Sequence, residues 1–576
     1  MEPLRRNIAS LSNFVEGQDT LKSDINLMIS LLENSFSGLE TEHLGIKTLS
    51  ENGCFVPMEE FHIADVPETV IEQGHLVIKQ VEIRGHVVNT MGTIIKKFME
   101  LPGVLRSTLD NMDSLSQENV VISSILQGTL WKEHVLPKFE GQLVMPLTLF
   151  ADEFEPDNCK GSHAGDNKIM AVHFHIPAIP QKFQSSFENI FVATFLLHNN
   201  LKMGIENCVY PLIEQLTQLE LEGIEIMDGD NPVRIYFALV LVRGDNAGLH
   251  NILGFVESVV ANHCCRICRV HRDVMRHTTV LDQTLLRTVQ NYQDDVQVNN
   301  VTVTGVIVEC FFNAVPNFHC VVNQYCDLMH DVPEGVLKYA MCCIIHYLVN
   351  ERNYFDFDSL QSRVKNFDYG SAEIGNRPPS HKLTPERVAN DSINFSASEM
   401  LCFTRFFGEM VGDLVPEGDE VWLFYLHMRD LTDVLFAPKF VVGSEIYLKH
   451  MVEYFLHSYL NLFPGHLTIQ FNLLLHYMSL FTLIGPVVNL WCMIDEGKHR
   501  ESRIIAHSTN SRIRLEYTLL FRHQLKLSSR LLAERRLFVE FEYGVGNLMP
   551  PNYFGLLNNA VEQLPEVEKE PFISVS

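Results

Sequence analysis

Apolar residues recur along the chain with two different periods, and the change of period divides it. Leu21, Ile25, Met28, Ile29 and Leu32, and later Ile94, Ile95, Phe98 and Met99, follow the three-to-four spacing of a single helix face. That spacing predicts a helical N-terminal region over residues 1–135. The period shifts at Leu143–Ala151, a nearly unbroken apolar run that reads as a buried strand stopping at the acidic Asp152-Glu153-Phe154-Glu155. Ile169–Ile176 alternates as a second strand ended by Pro177. Phe187–Leu197 fits either a strand or a helix, Val209–Glu222 fits a helix, and Arg234–Val242 reads as a buried strand leading into Arg243-Gly244-Asp245-Asn246. From about 290 to 475 the spacing is helical again, as in Val336, Tyr339, Ala340, Cys343, Ile344 and Tyr347, in Met400–Val411 and in Tyr447–Leu460. Residues 370–395, with Pro378 and Pro379, read as a linker or loop, and 546–576 as a loose tail.

This order of elements places the chain in the α/β class, with a mixed sheet and flanking helices. At 576 residues it is too long for one core, and three or four units are expected. The apolar share of 46% and the charged share of 20% are ordinary for a soluble protein. Thirteen irregularly spaced cysteines suit a reduced, intracellular compartment better than a disulfide scaffold. The opening Met1–Arg6 lacks the pattern of a secretory leader. Leu467–Ile494 carries no Asp, Glu, Lys or Arg and is long enough to span a bilayer. Its Gln470, Asn472, His476 and Asn489, and the Gly485-Pro486 break, favour a buried helix, a turn and a second buried piece. No membrane partner is expected.

A net charge of -27 opposes nucleic-acid binding, which needs basic surface. The charge is uneven, however. Lys498–Arg536 holds ten Lys/Arg against three Glu, and Lys498, Arg500, Arg503, Arg512 and Arg514 are the candidate DNA contacts within it. Arg266, Arg269, Arg272 and Arg276 form a second basic cluster. Solvated helix faces that happen to be basic would look the same.

Two apolar strands each lead into an acid, Asp152 and Asp245. Strand ends of an α/β sheet are where ligand sites form, and neighbouring carboxylates can share divalent ions. Asp also simply closes strands in turns, so the pattern alone leaves both readings open.

The segment Leu149-Phe150-Ala151-Asp152-Glu153-Phe154 with Gly161-Ser162-His163-Ala164-Gly165 resembles the surroundings of the first catalytic Asp in CACTA (En/Spm-like) DDE transposases. Pro211–Leu216 and Glu222-Gly223-Ile224 are similar to the helix before their second Asp, which falls on Asp245 in Gly244–Leu249. Trp491–His499 looks like the acidic helix start that supplies their final Glu, here Glu496. The resemblance covers about residues 90–540. It implies an RNase H-like core interrupted by a large all-helical insertion. It also implies two Mg²⁺ (or Mn²⁺) ions on Asp152, Asp245 and Glu496, cleavage and strand transfer at transposon ends, a nuclear location and a homo-oligomer.

The implied division is 1–135 helical, 136–260 first part of the core, 261–290 a zinc-knuckle-like element, 291–475 the insertion, 476–545 the closing part with the Glu helix, and 546–576 the tail. Related recombinases complete a pair such as Cys265/Cys268 with two histidines before the catalytic Glu, implying a Zn²⁺ site here with His476. The second histidine would fall at Phe471, so the set is incomplete unless His263, His271 or His466 substitutes; two buried free thiols are the alternative. Asp327-Leu328-Met329-His330 is similar to a family motif that supports the metal site, and Asp327 is the fallback for the second acid. Its other reading is a helix N-cap beside a buried histidine. The departures at Phe471 and at Ile494-Asp495, with the acidic net charge, suggest a domesticated or decayed copy. Two functions therefore stand: an active DNA transposase, or an inactive derivative that keeps the fold and binds protein partners.

Overall fold

The computed structural model describes residues 41–72, 75–88, 90–156, 168–463, 465–509, 514–537, 547–548 and 573–574. The chain divides into two units, Met1–Glu534 and Arg535–Ser576. Within the second, Asn547–Leu548 pairs antiparallel with Ile573–Ser574.

The first unit is a mixed α/β fold around a seven-stranded sheet. Its strands are β1 (Met58–Glu72), β2 (His75–Val88), β3 (Leu143–Phe154), β4 (Ile169–His175), β5 (Phe191–Leu197), β6 (Ile224–Asp228) and β7 (Asn231–Arg243). In space they run β1-β2-β5-β4-β3-β7-β6. Only β3 and β7 are parallel; every other neighbouring pair is antiparallel. Strand β3 is buried along almost its whole length, which is why its sequence reads as a continuous apolar run rather than an alternation.

Six helices frame the sheet and the site: α1 (Met91–Met99), α2 (Ile205–Leu221), α3 (Asn246–Ile252), α4 (Ile469–Ile484), α5 (Met493–Ser508) and α6 (Leu515–Leu532). Gln215 of α2 fastens the end of β2 to α1: its oxygen accepts from Met91 N at 2.7 Å and its amide donates to Val88 O at 3.0 Å. Helix α6 lies against β5 and β2. Between α3 and α4 the chain is mostly helical, including Leu337–His346, Ala397–Val411, Glu420–Leu435 and Ser444–Leu462.

Several expectations change. The helical N-terminal region holds at α1, but Met58–Glu72 and His75–Val88 form the β1–β2 ribbon instead. They are rich in β-branched residues (Val66, Thr69, Val70, Ile71, Val77, Ile78, Val81, Ile83), which favour pleated backbone. The helix expected at Leu21–Leu32 lies outside the described residues. Strand β3 does not stop at Asp152, because pairing with β4 continues through Asp152↔Ala171 to Phe154↔Ile169. Phe187–Leu197 becomes a short turn of helix followed by β5. Residues 370–395 are not a linker. Thr384 caps a helix that starts at Pro385, where the missing N–H costs nothing, and Leu383, Val388 and Ile393 are buried.

The apolar run Leu467–Ile494 forms buried α4, a turn at Gly485 with φ of +76°, and the short helical piece Val487–Leu490. A Cβ at Gly485 would sit 2.9 Å from Ser124 O. Among the described residues, one continuous helical stretch, Leu328–Glu351, is long and apolar enough to cross a membrane. Two thirds of its most apolar window (67%) is buried inside the protein.

Candidate functional site

Parallel pairing sets the first two acids side by side. Phe150 of β3 is in register with Arg243 of β7, so Asp152 and Asp245 each lie two residues beyond a matched pair. Asp245 leaves the strand to cap α3, its Oδ1 accepting from Gly248 N at 2.6 Å. Two glycines allow this approach. A Cβ on Gly244 would lie 2.4 Å from Ala151 O, and one on Gly248 would meet the same oxygen at 3.4 Å.

Helix α5 brings the third acid. Burial, then the charges of Asp245 and Glu496, push the Asp152 carboxyl up to about 8. Burial pushes Glu496 up to about 7, with His330 opposing and Asp327, Glu334 and Asp245 adding to the rise. The Asp152 carboxyl thus feels the charge of both Asp245 and Glu496, but among the described residues the three acids do not bring their oxygens within 4.8 Å of one another as a set. His499, one turn after Glu496 on α5, places Nδ1 3.7 Å from Asp152 Oδ2.

What holds α5 in place is the residue before Glu496. Asp495 is fully buried; Arg243 Nη1 donates to its Oδ2 at 3.0 Å and His175 Nε2 meets its Oδ1 at 2.5 Å. Burial alone would raise the Asp495 carboxyl, but Arg243 and His175 outweigh it and hold it well below the usual range. Arg243 also donates to Leu490 O at 2.9 Å, just ahead of the helix. One ion-paired cluster therefore ties β7, β4 and α5 behind the acids.

Asp327, the fallback for the second acid, is turned to other partners. It is fully buried, and both its oxygens are engaged: Oδ1 by Cys492 N and Tyr325 Oη (2.9 Å each), Oδ2 by His330 N and Nδ1 (3.1 and 2.6 Å). It is the N-cap of Leu328–Asp331 and orients His330, whose Nε2 lies 3.4 Å from Glu496 Oε1. Burial opposes charge on His330, but Asp327, Glu496 and Asp245 outweigh it and hold the imidazolium up to about 10. A cavity of about 270 Å³ beside these groups is lined by Asp245, Asn246, Arg266, His330, Glu334 and Gln470, among others.

The Cys265, Cys268 and His476 side chains come together, their ligand atoms all within 4.8 Å of one another and buried. His263, His271 and His466 are not part of the group. His263 Nδ1 faces Arg269 O at 3.0 Å, His271 caps a short helix, and His466 is exposed. Phe471 points into an aromatic core with Tyr339, Phe455 and Tyr459. The helical repeat instead turns Asn472 toward the thiols, its Nδ2 3.9 Å from Cys268 Sγ. Two thiols and an imidazole are a soft donor set that fits a zinc-type ion, with three strong ligands where a closed structural site normally has four.

The basic candidates are dispersed. Arg500 and Arg503 are exposed, whereas Lys498 is buried, donating to Phe187 O at 2.7 Å and pairing with Glu501 at 2.9 Å. Arg514 pairs with Glu60 at 3.3 Å, and Arg512 lies outside the described residues. Arg266 is buried, and Arg269, Arg272 and Arg276 pair with Asp295 or Asp273. Sequence reading passed over Asp495, Arg243, His175, His499, Asn246 and Asp331. Arg243 and His175 stand out in the sequence as polar residues in apolar strands; the other four sit in polar segments that carry no such signal. No protein-family model matches the chain, and none of the curated proteins compared with it does.

Proposed function

We propose that this chain is a DDE-type transposase-like protein of the CACTA (En/Spm-like) kind, built on an RNase H-like core and acting on DNA in the nucleus. One observation carries the reading: Asp152 and Asp245 stand level on the parallel pair β3–β7, within electrostatic reach of Glu496 on α5. The order β5-β4-β3-β7, with three antiparallel strands joined to a parallel fourth through α2, supports the RNase H-like assignment. The helical stretch between α3 and α4 supports the insertion.

An all-carboxylate oxygen set under mutual repulsion suits a hard divalent cation, so Asp152, Asp245 and Glu496 would hold Mg²⁺ or Mn²⁺. When bound, such ions supply Lewis-acid charge to a phosphoryl group. The chain's own groups do the positioning. Gly248 N orients Asp245, Asp327 orients His330, and the Asp495 cluster sets the place of Glu496. The reaction is attack of water on a phosphodiester, breaking its P–O3′ bond, followed by attack of the freed 3′-OH on a target phosphodiester, which breaks the P–O3′ bond there and releases a target 3′-OH.

The test is strand cleavage of labelled duplex DNA with Mg²⁺ or Mn²⁺. Glu496→Gln is expected to abolish it without lowering the melting midpoint in EDTA, since burial already disfavours the Glu496 charge; full cleavage by this variant would overturn the assignment. Buried Lys498, paired Arg514 and the net charge of -27 favour a second reading. In it the chain is an inactive, transposase-derived interaction protein that keeps the fold. Absent cleavage by the unmutated chain, with no salt-sensitive DNA affinity, would establish that reading instead.

A further inference from the structure

Arg266 stands between the two thiols of the Cys265/Cys268/His476 group, yet its guanidinium points away from them toward the acids. Nη1 donates to Asn246 Oδ1 at 2.7 Å, while Nε and Nη2 donate to Tyr325 O at 3.2 and 2.7 Å. Asn246 directly follows Asp245, and its Nδ2 donates to Asp331 Oδ1 at 2.7 Å. The other Asp331 oxygen accepts from Tyr477 Oη at 3.0 Å, and Tyr477 directly follows His476. Asp331, Arg266 and Tyr477 are all buried.

The bonds therefore close a ring. It runs from the thiol pair through Arg266 to Asn246, on to Asp331, and back through Tyr477 to the histidine of the same group. A branch runs from Tyr325, whose single hydroxyl proton is shared between Asp327 Oδ1 and Leu490 O, each 2.9 Å from Oη, just ahead of the helix that carries Glu496. Arg266 thus holds the side chain of the residue after Asp245 and the backbone of Tyr325 at once. Its planar five-donor head suits this task; a lysine in its place would keep the charge but not the fork.

We propose that this ring is a positioning relay: occupation of the Cys265/Cys268/His476 group by a zinc-type ion locks the Asp245 loop through Arg266, Asn246 and Asp331. A bound ion fixes the peptide Cys265-Arg266-Ile267-Cys268 and the helix turn His476-Tyr477 relative to each other. Both arms of the ring are then held, and Asn246 has one place to go. Without the ion the two arms move apart more easily, and the cap between Asp245 and Gly248 N loosens with them. The consequence for catalysis rests on the transposase reading, whereas the relay itself does not.

The test uses Co²⁺ as a spectroscopic stand-in for zinc in the full chain, with Asn246→Ala and Arg266→Lys beside the unmutated protein. Thiolate-to-cobalt absorption reports loading of the group. Amide exchange at Gly248, the hydrogen bonded to Asp245, reports the relay. Loading is expected to slow that exchange about tenfold in the unmutated chain, within the usual range of coupling between two sites, and to leave it unchanged in Asn246→Ala. Arg266→Lys is expected to bind Co²⁺ yet lose most of the slowing. Equal exchange in loaded and metal-free protein, an undiminished effect in Asn246→Ala, or no cobalt absorption would each overturn the proposal. Affinity for Mn²⁺, measured on the same samples, separates the two ideas. By reciprocity of coupling it rises on cobalt loading if the acids bind metal. Slowed Gly248 exchange without any Mn²⁺ binding keeps the relay and removes the nuclease reading.

Discussion

Removing the Asp152 charge should stabilise the metal-free protein, and increasingly so as pH rises. The native carboxyl sits at about 8 against an ordinary 3.8, because burial and the charges of Asp245 and Glu496 disfavour ionisation. A raised native value means that the folded chain holds this proton more tightly than the unfolded one. The associated stability is complete below about pH 4 and is lost as pH climbs toward 8. Taken alone, the displacement sets a ceiling of about 5 kcal/mol at pH 8. The side chain keeps 16% of its exposure, and neighbouring charges relax with it. About 2 kcal/mol is therefore the expected size, on the order of 3 °C in melting midpoint.

The assay is thermal unfolding of the unmutated chain and Asp152→Asn in EDTA, from pH 5 to pH 8. Asp152→Asn should gain on the parent steadily over that range. Millimolar Mg²⁺ at pH 8 should raise the parent's midpoint and leave the variant's unchanged. A gap independent of pH, or a variant less stable than its parent at pH 8, would refute the picture of crowded carboxylates.

Asp495→Ala should behave in the opposite way to its neighbour Glu496→Gln, destabilising by about 3–5 kcal/mol because Arg243 is left buried and unpaired; denaturant unfolding measures it. The pH sign is also opposite: Asp495 is held low, so its contribution is present above about pH 4 and lost as pH falls below that. Asn472→His should tighten Zn²⁺ binding at least about tenfold in chelator competition, by putting a nitrogen ligand where the amide now faces Cys268. Gly244→Ala should cost about 1–3 kcal/mol in denaturant unfolding and abolish cleavage, since its Cβ would press on Ala151 O and part Asp152 from Asp245.

The sequence by itself carried the elements around the site. The apolar runs at 143–151 and 235–242 read as buried strands by their shortness and their polar bounds, and both are strands largely buried in the sheet. The break of the apolar stretch at Gly485-Pro486 was equally legible. It did not reveal the β1–β2 ribbon, whose outer half is exposed and so lacks the one-sided alternation that marks a strand.

Nor could it decide which polar residues inside apolar stretches serve the acids. Asp327 and Asp245 look alike as acids after short apolar runs. Only the parallel register of β3 with β7 sets Asp245 level with Asp152, while Tyr325 and Cys492 N engage Asp327. Phe471 and Asn472 are adjacent in sequence, and the rotation of α4 alone determines that the first enters an aromatic core and the second faces the thiols. Asp495 pairs with Arg243, 252 residues away. Local spacing encodes strand, helix and turn; it holds no information about partners that meet only when the sheet and α5 close on each other.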